Sequence, residues 1–294
     1  MSKRLEILKT YKIYIGGKFP RTESGRYYQP KSTGQPLGNI CLSSRKDFRN
    51  AVVAARGAFE GWSSRAAFNR SQIIYRIAEI IEGRKDQFIH ELILQGSNKS
   101  NAVKEVDQAI DRLVYYAGWS DKINQVFGSV NPVATSHFNF TSLEPMGVVA
   151  VLAPTDSSLL GLISSLIPVI VSGNTCVVIA SEKLPLCAVT LSEVLSTSDV
   201  PGGVVNILTG KRTELIEHVG SHMDVNAVLY SDNSNAELKK LQTLAVDNLK
   251  RIVSVKHQDW NSEKMESPYL INDFMEAKTT WHPIEKISGS GSGY

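Results

Sequence analysis

The sequence predicts an α/β fold: a Rossmann-like, doubly wound parallel sheet with helices on both faces, plus a small β-strand arm. Three short apolar runs carry that reading. The first, Val148-Val149-Ala150-Val151-Leu152, is bounded by Gly147 and Pro154; the second, Thr175-Cys176-Val177-Val178-Ile179, is entered through Gly173-Asn174. The third, Val204-Val205-Asn206-Ile207-Leu208, ends at Thr209-Gly210, and helix-length patterns, one of them over residues 159–171, separate the three. Strand, helix, strand, helix, strand at this spacing implies crossover connections in a parallel sheet, whose ligands sit beyond the carboxyl ends of the strands. The expected site therefore lies near residues 154–158 and 180–183.

With 294 residues and 42% hydrophobic content, the chain can bury a sizeable core in one or two domains. A formal charge of +3, with basic and acidic residues interspersed, argues against a nucleic-acid partner. The start, Met1-Ser2-Lys3-Arg4-Leu5-Glu6, lacks the apolar core of a secretory signal, and 159–171 is too short and too interrupted by serines and Pro168 to span a bilayer. A soluble, cytoplasmic protein with no membrane partner is the expectation. Cys41, Cys176 and Cys187 are odd in number and lack metal-ligand spacing, so they are expected to be thiols, with no metal site.

Along the chain, Tyr11-Lys12-Ile13-Tyr14-Ile15-Gly16-Gly17-Lys18 reads as one strand of a hairpin that returns after Gly25. Phe48, Val52, Ala55 and Phe59 recur at helical spacing, and after Trp62 and Arg70 the stripe Ile73, Ile74, Ile77, Ile80 and Ile81 marks a second helix that docks on a sheet. Gly96 is placed to serve as a left-handed helix cap, and Val106, Ala109, Ile110, Leu113, Val114 and Ala117 write another helix. From 136 to 143 the alternation of Phe138 and Phe140 with Asn139 and Thr141 suits a half-exposed strand. A short helix with Leu215, Ile216, Val219 and Met223, a fourth strand over 225–230, a helix over 237–246 and a fifth strand over 250–255 complete the sheet. Residues 261–267 form a polar connector, and the final Ile287-Ser288-Gly289-Ser290-Gly291-Ser292-Gly293-Tyr294 is a low-complexity, flexible tail.

The ordered set Glu144-Pro145-Met146-Gly147-Val148-Val149, Ala153-Pro154, Gly173-Asn174-Thr175-Cys176-Val177-Val178 and Pro201-Gly202-Gly203-Val204-Val205-Asn206 through Gly210 is similar to the cofactor-binding region of the aldehyde dehydrogenase superfamily. The N-terminal arm resembles the family as well, and Phe274-Met275-Glu276-Ala277-Lys278-Thr279-Thr280-Trp281-His282-Pro283 resembles its last strand. The resemblance implies an N-terminal arm and helical part at 1–135, oligomerisation strands at 136–147, a Rossmann-like core at 148–260, a C-terminal oligomerisation strand at 261–286 and the tail at 287–294. Between Trp260 and Phe274 nothing corresponds to the second domain, which in the family carries the nucleophilic cysteine.

The chemistry implied by the family can be checked residue by residue. Its oxyanion donor is an asparagine after Pro-Trp, whereas this chain has Thr155-Asp156; an ionised aspartate donates nothing and repels a developing oxyanion, so both residues are better read as a cap for the following helix. Its base is the glutamate of a Glu-Leu-Gly-Gly run after Leu-Lys-Arg; here Leu249-Lys250-Arg251 leads to Val255-Lys256-His257-Gln258, and His257 reads as a surface or packing histidine. Cys176 and Cys187 lie inside predicted elements, where thiols are structural. Of the family's ribose contacts Glu182 is kept and the lysine is lost. Asp232 brings a negative charge, in Leu229-Tyr230-Ser231-Asp232, to the pyrophosphate turn.

The resemblance thus implies only vestigial cofactor-binding positions, Pro154, Thr155, Asp156 and Glu182, no catalytic residue and no bound cofactor, NAD(P) being the one the fold would take. It implies a non-catalytic subunit that assembles with a catalytic aldehyde dehydrogenase or with itself, as in two-part relatives with an inactive repeat. Two strands, around 136–143 and 277–281, offer edges for that assembly. The alternative is a nucleotide-binding sensor or an oxidoreductase with a degenerate site near Asp156, Glu182 and His257.

Overall fold

The computed structural model describes residues 7–32, 34–256 and 259–284. The N-terminal arm holds five short strands, β1 (Thr10–Tyr11), β2 (Tyr27–Tyr28), β3 (Lys31–Ser32), β4 (Gln35–Pro36) and β5 (Asn39–Cys41). Tyr11 to Lys18 does not pair with the segment after Gly25, as the hairpin reading required; β5 lies between β1, which is parallel to it, and the antiparallel β2. Ile15 and Lys18 close a tight turn over Gly16-Gly17, and Tyr14 exchanges two backbone hydrogen bonds with Ile207, of 2.9 and 2.8 Å. Ile13 and Tyr14 are buried there, so the arm covers an edge of the main sheet instead of folding on itself.

The helices α1 (Arg45–Ser63), α2 (Ala67–Gly83), α3 (Lys85–Leu94), α4 (Lys99–Ala117) and α5 (Ile123–Phe127) follow. α1 starts at a capping box formed by Ser44 and Asp47, and α3 is additional to the helices that the sequence predicts. Gly96, at φ +103°, ends α3 as predicted: Ser97 N–H bonds Leu92 C=O and Gly96 N–H bonds Ile93 C=O, each at 3.0 Å, the double bond of a glycine-terminated helix. Then come β6 (Ser129–Asn131), β7 (His137–Pro145), β8 (Val148–Leu152), α6 (Leu160–Val171), β9 (Thr175–Ile179), α7 (Leu186–Ser196), β10 (Val205–Leu208), α8 (Arg212–Ser221), β11 (Ala227–Tyr230), α9 (Asn235–Ala245), β12 (Arg251–Ser254), α10 (Tyr269–Asn272) and β13 (Met275–Pro283).

β8 to β12 form one parallel sheet in the order β10-β9-β8-β11-β12, the doubly wound arrangement expected. Alternate strand residues feed two cores. Val149, Val151, Cys176, Val178 and Ile207 meet α2, α4, α6 and α7, while Val148, Ala150, Leu152, Val177 and Val228 meet α1, α8 and α9. Every residue of α6 is buried, and its serines are tolerated because Ser164 and Ser165 each donate to the carbonyl four residues back, at 2.7 and 2.8 Å.

The entry to β8 is fixed by Gly147, at φ +134°, whose N–H bonds Asn174 Oδ1 at 2.8 Å. A Cβ at this position would lie 2.2 Å from Asn226 Oδ1, the atom that receives Val148 N–H and Arg56 Nη2 at 3.0 and 2.7 Å. β13 pairs antiparallel with β7 over nine residues and lies at the edge of its three-stranded sheet.

The path from β12 to β13 is anchored to the body rather than free. Buried Arg112 of α4 donates to the carbonyls of Trp260 and Met265 and pairs with Glu266 at 3.1 Å; Asn174 Nδ2 bonds Phe274 C=O at 2.7 Å. Replacing Gly147 by alanine forces both the left-handed backbone and the Asn226 junction, and we expect a loss of about 2 kcal/mol or more, read as a lower urea midpoint with an unchanged slope.

Candidate functional site

In the order β10-β9-β8-β11-β12 the chain leaves β8 toward β9 on one side and returns to β11 on the other. The loops after β8 and β11 therefore diverge at the carboxyl edge and bound the crevice where such sheets take ligands. Residues 153–159 and 231–234 line it.

A side-chain clasp crosses this crevice. Thr155 Oγ1 donates to Asp232 Oδ2 at 2.9 Å, and Arg212 Nη1 donates to the same oxygen at 2.7 Å. Arg212 Nη2 also donates to the Ala153 carbonyl, and Nη1 lies 3.4 Å from Glu237, which in turn receives the Tyr230 hydroxyl at 2.9 Å. Arg212 is buried, so its charge is compensated by two carboxylates and a carbonyl at the strand ends. Burial alone would raise the Asp232 carboxyl, but the hydrogen bonds from Asn233 N–H, Arg212 and Thr155 outweigh it and hold the group below its ordinary range. The charge expected to face a phosphate is thus already paired within the chain, a partner that only the fold discloses. The signal in the sequence was the basic pair Lys211-Arg212 directly after the third strand.

The helix starts at the crevice are also met by protein groups. Glu105 Oε1 of α4 receives Leu159 N–H and Leu160 N–H, both at 3.1 Å, and Ser157 Oγ at 3.3 Å. It is therefore Glu105, and not Thr155 or Asp156 as the sequence suggests, that caps α6, placing a carboxylate at the positive end of the helix dipole. Gln95 does the same for α7: its Oε1 accepts Leu186 N–H at 3.0 Å and its Nε2 donates to Ser158 Oγ at 2.9 Å. Neither residue is adjacent in sequence to the helix it caps, so local pattern could not find them.

The four residues expected to mark the cofactor site do not act together. Thr155 belongs to the clasp, and its carbonyl receives Ser181 Oγ at 2.9 Å. Pro154 is buried under α6, where a Cβ on Gly161 would lie 2.5 Å from its Cγ. Asp156 is exposed and lines a polar cavity of about 360 Å³ with Lys104, Glu105 and Asp259. Glu182 stands beyond β9 beside the arm, where burial first, and its charge second, push the Tyr28 phenol up. His257 lies outside the described residues.

A dinucleotide bridging this crevice would need backbone N–H groups free for its pyrophosphate at a turn or helix start. The turn after β11 reads Ser231-Asp232-Asn233-Ser234 without glycine, and the α6 start is met by Glu105, so neither presents the glycine-lined donor set of such a turn. No accessible thiol stands nearby either: Cys41, Cys176 and Cys187 are free and buried, and burial pushes all three thiols up. Among the described residues no cluster of His, Cys, Asp and Glu could hold a metal ion, and no helix is long and apolar enough to cross a membrane.

Behind Gln95, buried Glu91 receives Thr190 Oγ1 on one carboxylate oxygen at 2.5 Å, while the other oxygen has no partner among the described residues. Burial pushes this carboxyl up to about 7 against the opposing Thr190 bond. The folded state then binds the proton more tightly than the unfolded chain, so stability is highest below the unfolded pKa and falls as pH rises toward 7. Thermal unfolding across that window is expected to show a decline on the order of 3 kcal/mol, and Glu91→Gln to flatten it.

The family model described as "Aldehyde dehydrogenase family" matches residues 20–254. A putative aldehyde dehydrogenase DhaS of Bacillus subtilis is 30% identical over 260 residues, covering 86% of this chain and 52% of the relative. The cytosolic 10-formyltetrahydrofolate dehydrogenase of Mus musculus is 27% identical over 257 residues, covering 85% of this chain and 28% of the relative. Among solved structures, an NAD+ complex of aldehyde dehydrogenase from Bacillus cereus superposes with a TM-score of 0.79 at 25% identity, covering 84% of this chain and 50% of that one. PnpE in complex with nicotinamide adenine dinucleotide gives 0.80 at 28%, covering 83% and 50%. The chain spans about half the length of curated relatives such as the Bacillus subtilis protein, and 28% of the mouse protein. With the sheet order, the arm and the matched region in agreement, this chain belongs to the aldehyde dehydrogenase family.

Proposed function

We propose that this chain is a non-catalytic member of its family, a structural or regulatory subunit that joins a catalytic aldehyde dehydrogenase, or a second copy of itself, through β7 and β13. The observation that carries the reading is the passage from β12 to β13. It is short, and from Trp260 onward it is held by Arg112, Asn174 and Arg251, whose guanidinium donates to the carbonyls of Asp273 and Met275 at 2.8 and 2.9 Å. A domain bearing a nucleophilic cysteine is not inserted there, and the cysteines within the described residues are buried. Aldehyde oxidation through a thioester requires an activated thiolate, which these thiols cannot supply.

The edge favours assembly. Residues 276–283 of β13 are exposed, and Trp281, Phe138 and Val130 present apolar surface on the same ribbon. A strand added beside β13 would gain backbone hydrogen bonds and pack against Trp281, which lies on the opposite face from Phe138 and Val130. The clasp at the crevice accounts for the rest: a subunit that serves as scaffold is stabilised by closing the place where its relatives hold NAD(P).

Two measurements test this. Titration with NAD and NADP, followed by intrinsic fluorescence and melting temperature, is expected to be silent, and a saturable response at micromolar concentration would favour a nucleotide sensor or degenerate oxidoreductase instead. Purification from the native cell is expected to bring an aldehyde dehydrogenase or a homo-oligomer through size exclusion. A monomer with no such companion would overturn the subunit reading. Trp281, exposed on β13, supplies a local probe: Trp281→Glu should leave the fold intact and dissociate the assembly by placing a charge on the shared edge.

A further inference from the structure

Away from the crevice, α1 and α8 lie side by side on one face of the sheet and leave between them a cleft of about 270 Å³. α1 contributes Arg45 and Arg49, one turn apart; α8 contributes His218, and His222 follows one turn later at its C-cap. Both arginines are exposed, and neither they nor His218 have a hydrogen-bond or ion-pair partner among the described residues. Other cations on α1 are engaged: Lys46 pairs with Glu23 at 2.9 Å, and Arg56 donates to Asp224 C=O and Asn226 Oδ1, each at 2.7 Å. Those that line the cleft have no direct ion pair among the described residues, although Arg49 lies near enough to Glu23 to help hold that carboxyl below its ordinary range.

The surroundings reinforce the positive field. Buried Lys250 stands behind α8, its ammonium donating to the carbonyls of Val219, Gly220 and His222 at 3.1, 2.6 and 3.0 Å. His222 Nδ1 accepts Asp224 N–H at 3.3 Å, which leaves Nε2 as the donor of the neutral ring. The ring also meets buried Phe48 edge-on at 5.8 Å, and Phe48 and Met223 give the cleft an apolar part. Burial, followed by the charges of Lys250, Arg45 and Arg49, lowers the His222 pKa, with Asp224 the one opposing acid.

We propose that this cleft is a binding site for a small doubly charged oxyanion, a phosphomonoester with a short carbon body. Two guanidinium forks and two imidazoles match the several oxygens of a phosphate better than the two of a carboxylate, and the volume admits the group with a few further atoms. His222 offers its Nε2–H to the cleft as the donor of a neutral ring, since burial lowers its pKa. The site does not rest on the subunit reading, because it shares no residue with the clasp or with β13.

Calorimetric titration with inorganic phosphate and with phenyl phosphate at constant ionic strength tests it. Saturable binding of one equivalent is expected at about pH 7.5, where the probes carry their second charge. The double variant Arg45→Ala/Arg49→Ala should weaken it by about tenfold or more, whereas Lys46→Ala, which removes an equal charge already paired with Glu23, should not change it. His218→Ala/His222→Ala should also weaken it, by removing two donors from the cleft. Absence of saturable binding, or equal loss in the arginine variant and in Lys46→Ala, would overturn the proposal, and circular dichroism of each variant confirms that the fold is retained.

Discussion

A parallel sheet covered on both faces has one open side for polar chemistry, its carboxyl edge, where strands stop and backbone groups must find partners in the loops. Related folds use that requirement to hold a ligand. Here the chain meets it from within. Arg212 takes the Ala153 carbonyl and the Asp232 carboxylate, Thr155 closes on the same carboxylate, and Glu105 and Gln95 occupy the starts of α6 and α7. Each group is satisfied by another side chain, so opening the crevice would leave a buried guanidinium and a helix start without partners at once. The cost of separating such a buried pair is on the order of 3–5 kcal/mol.

The same economy appears where the chain leaves the sheet. Arg112, fully enclosed in α4, binds the segment after β12 by its carbonyls and by Glu266, and Asn174 links the β8 and β9 entries to Phe274. Long-range polar contacts from the helical layer and the sheet thereby direct the chain onto β7 as β13. The core and the arm become one body, and the exposed ribbon of β13 is left as a surface suited to another chain. The functional reading follows from this routing more than from any single absent residue.

Expectations drawn from local pattern succeeded where burial alone determines the outcome. Val148 to Leu152 and Cys176 to Ile179 are central-strand runs because four or five consecutive apolar residues are accommodated inside a covered sheet, and Gly96 ends α3 because its backbone adopts the left-handed region. They failed where the partner is distant. The hairpin after Tyr11 was drawn from alternation and a glycine turn, but Tyr14 gains more by pairing with Ile207 on an edge strand. Thr155 and Asp156 looked like caps by position, yet Glu105, 54 residues from Leu159, reaches the helix first. Asp232 read as a lone charge because Arg212 lies 20 residues upstream.

Sequence by itself determined the doubly wound class and the departures from the family's motifs at Asp156 and after Arg251, because hydrophobic period and motif order are properties of neighbouring residues; of the crevice it pointed to the wall at 154–158 and, for the other, to 180–183 instead of 231–234. Only the tertiary structure decided how that crevice is filled, which carboxylate meets which cation, and which arginines on α1 stand without a direct ion pair beside α8. Electrostatic partners and helix caps are chosen by distance through space, and the crossover topology brings together groups that no window along the chain contains.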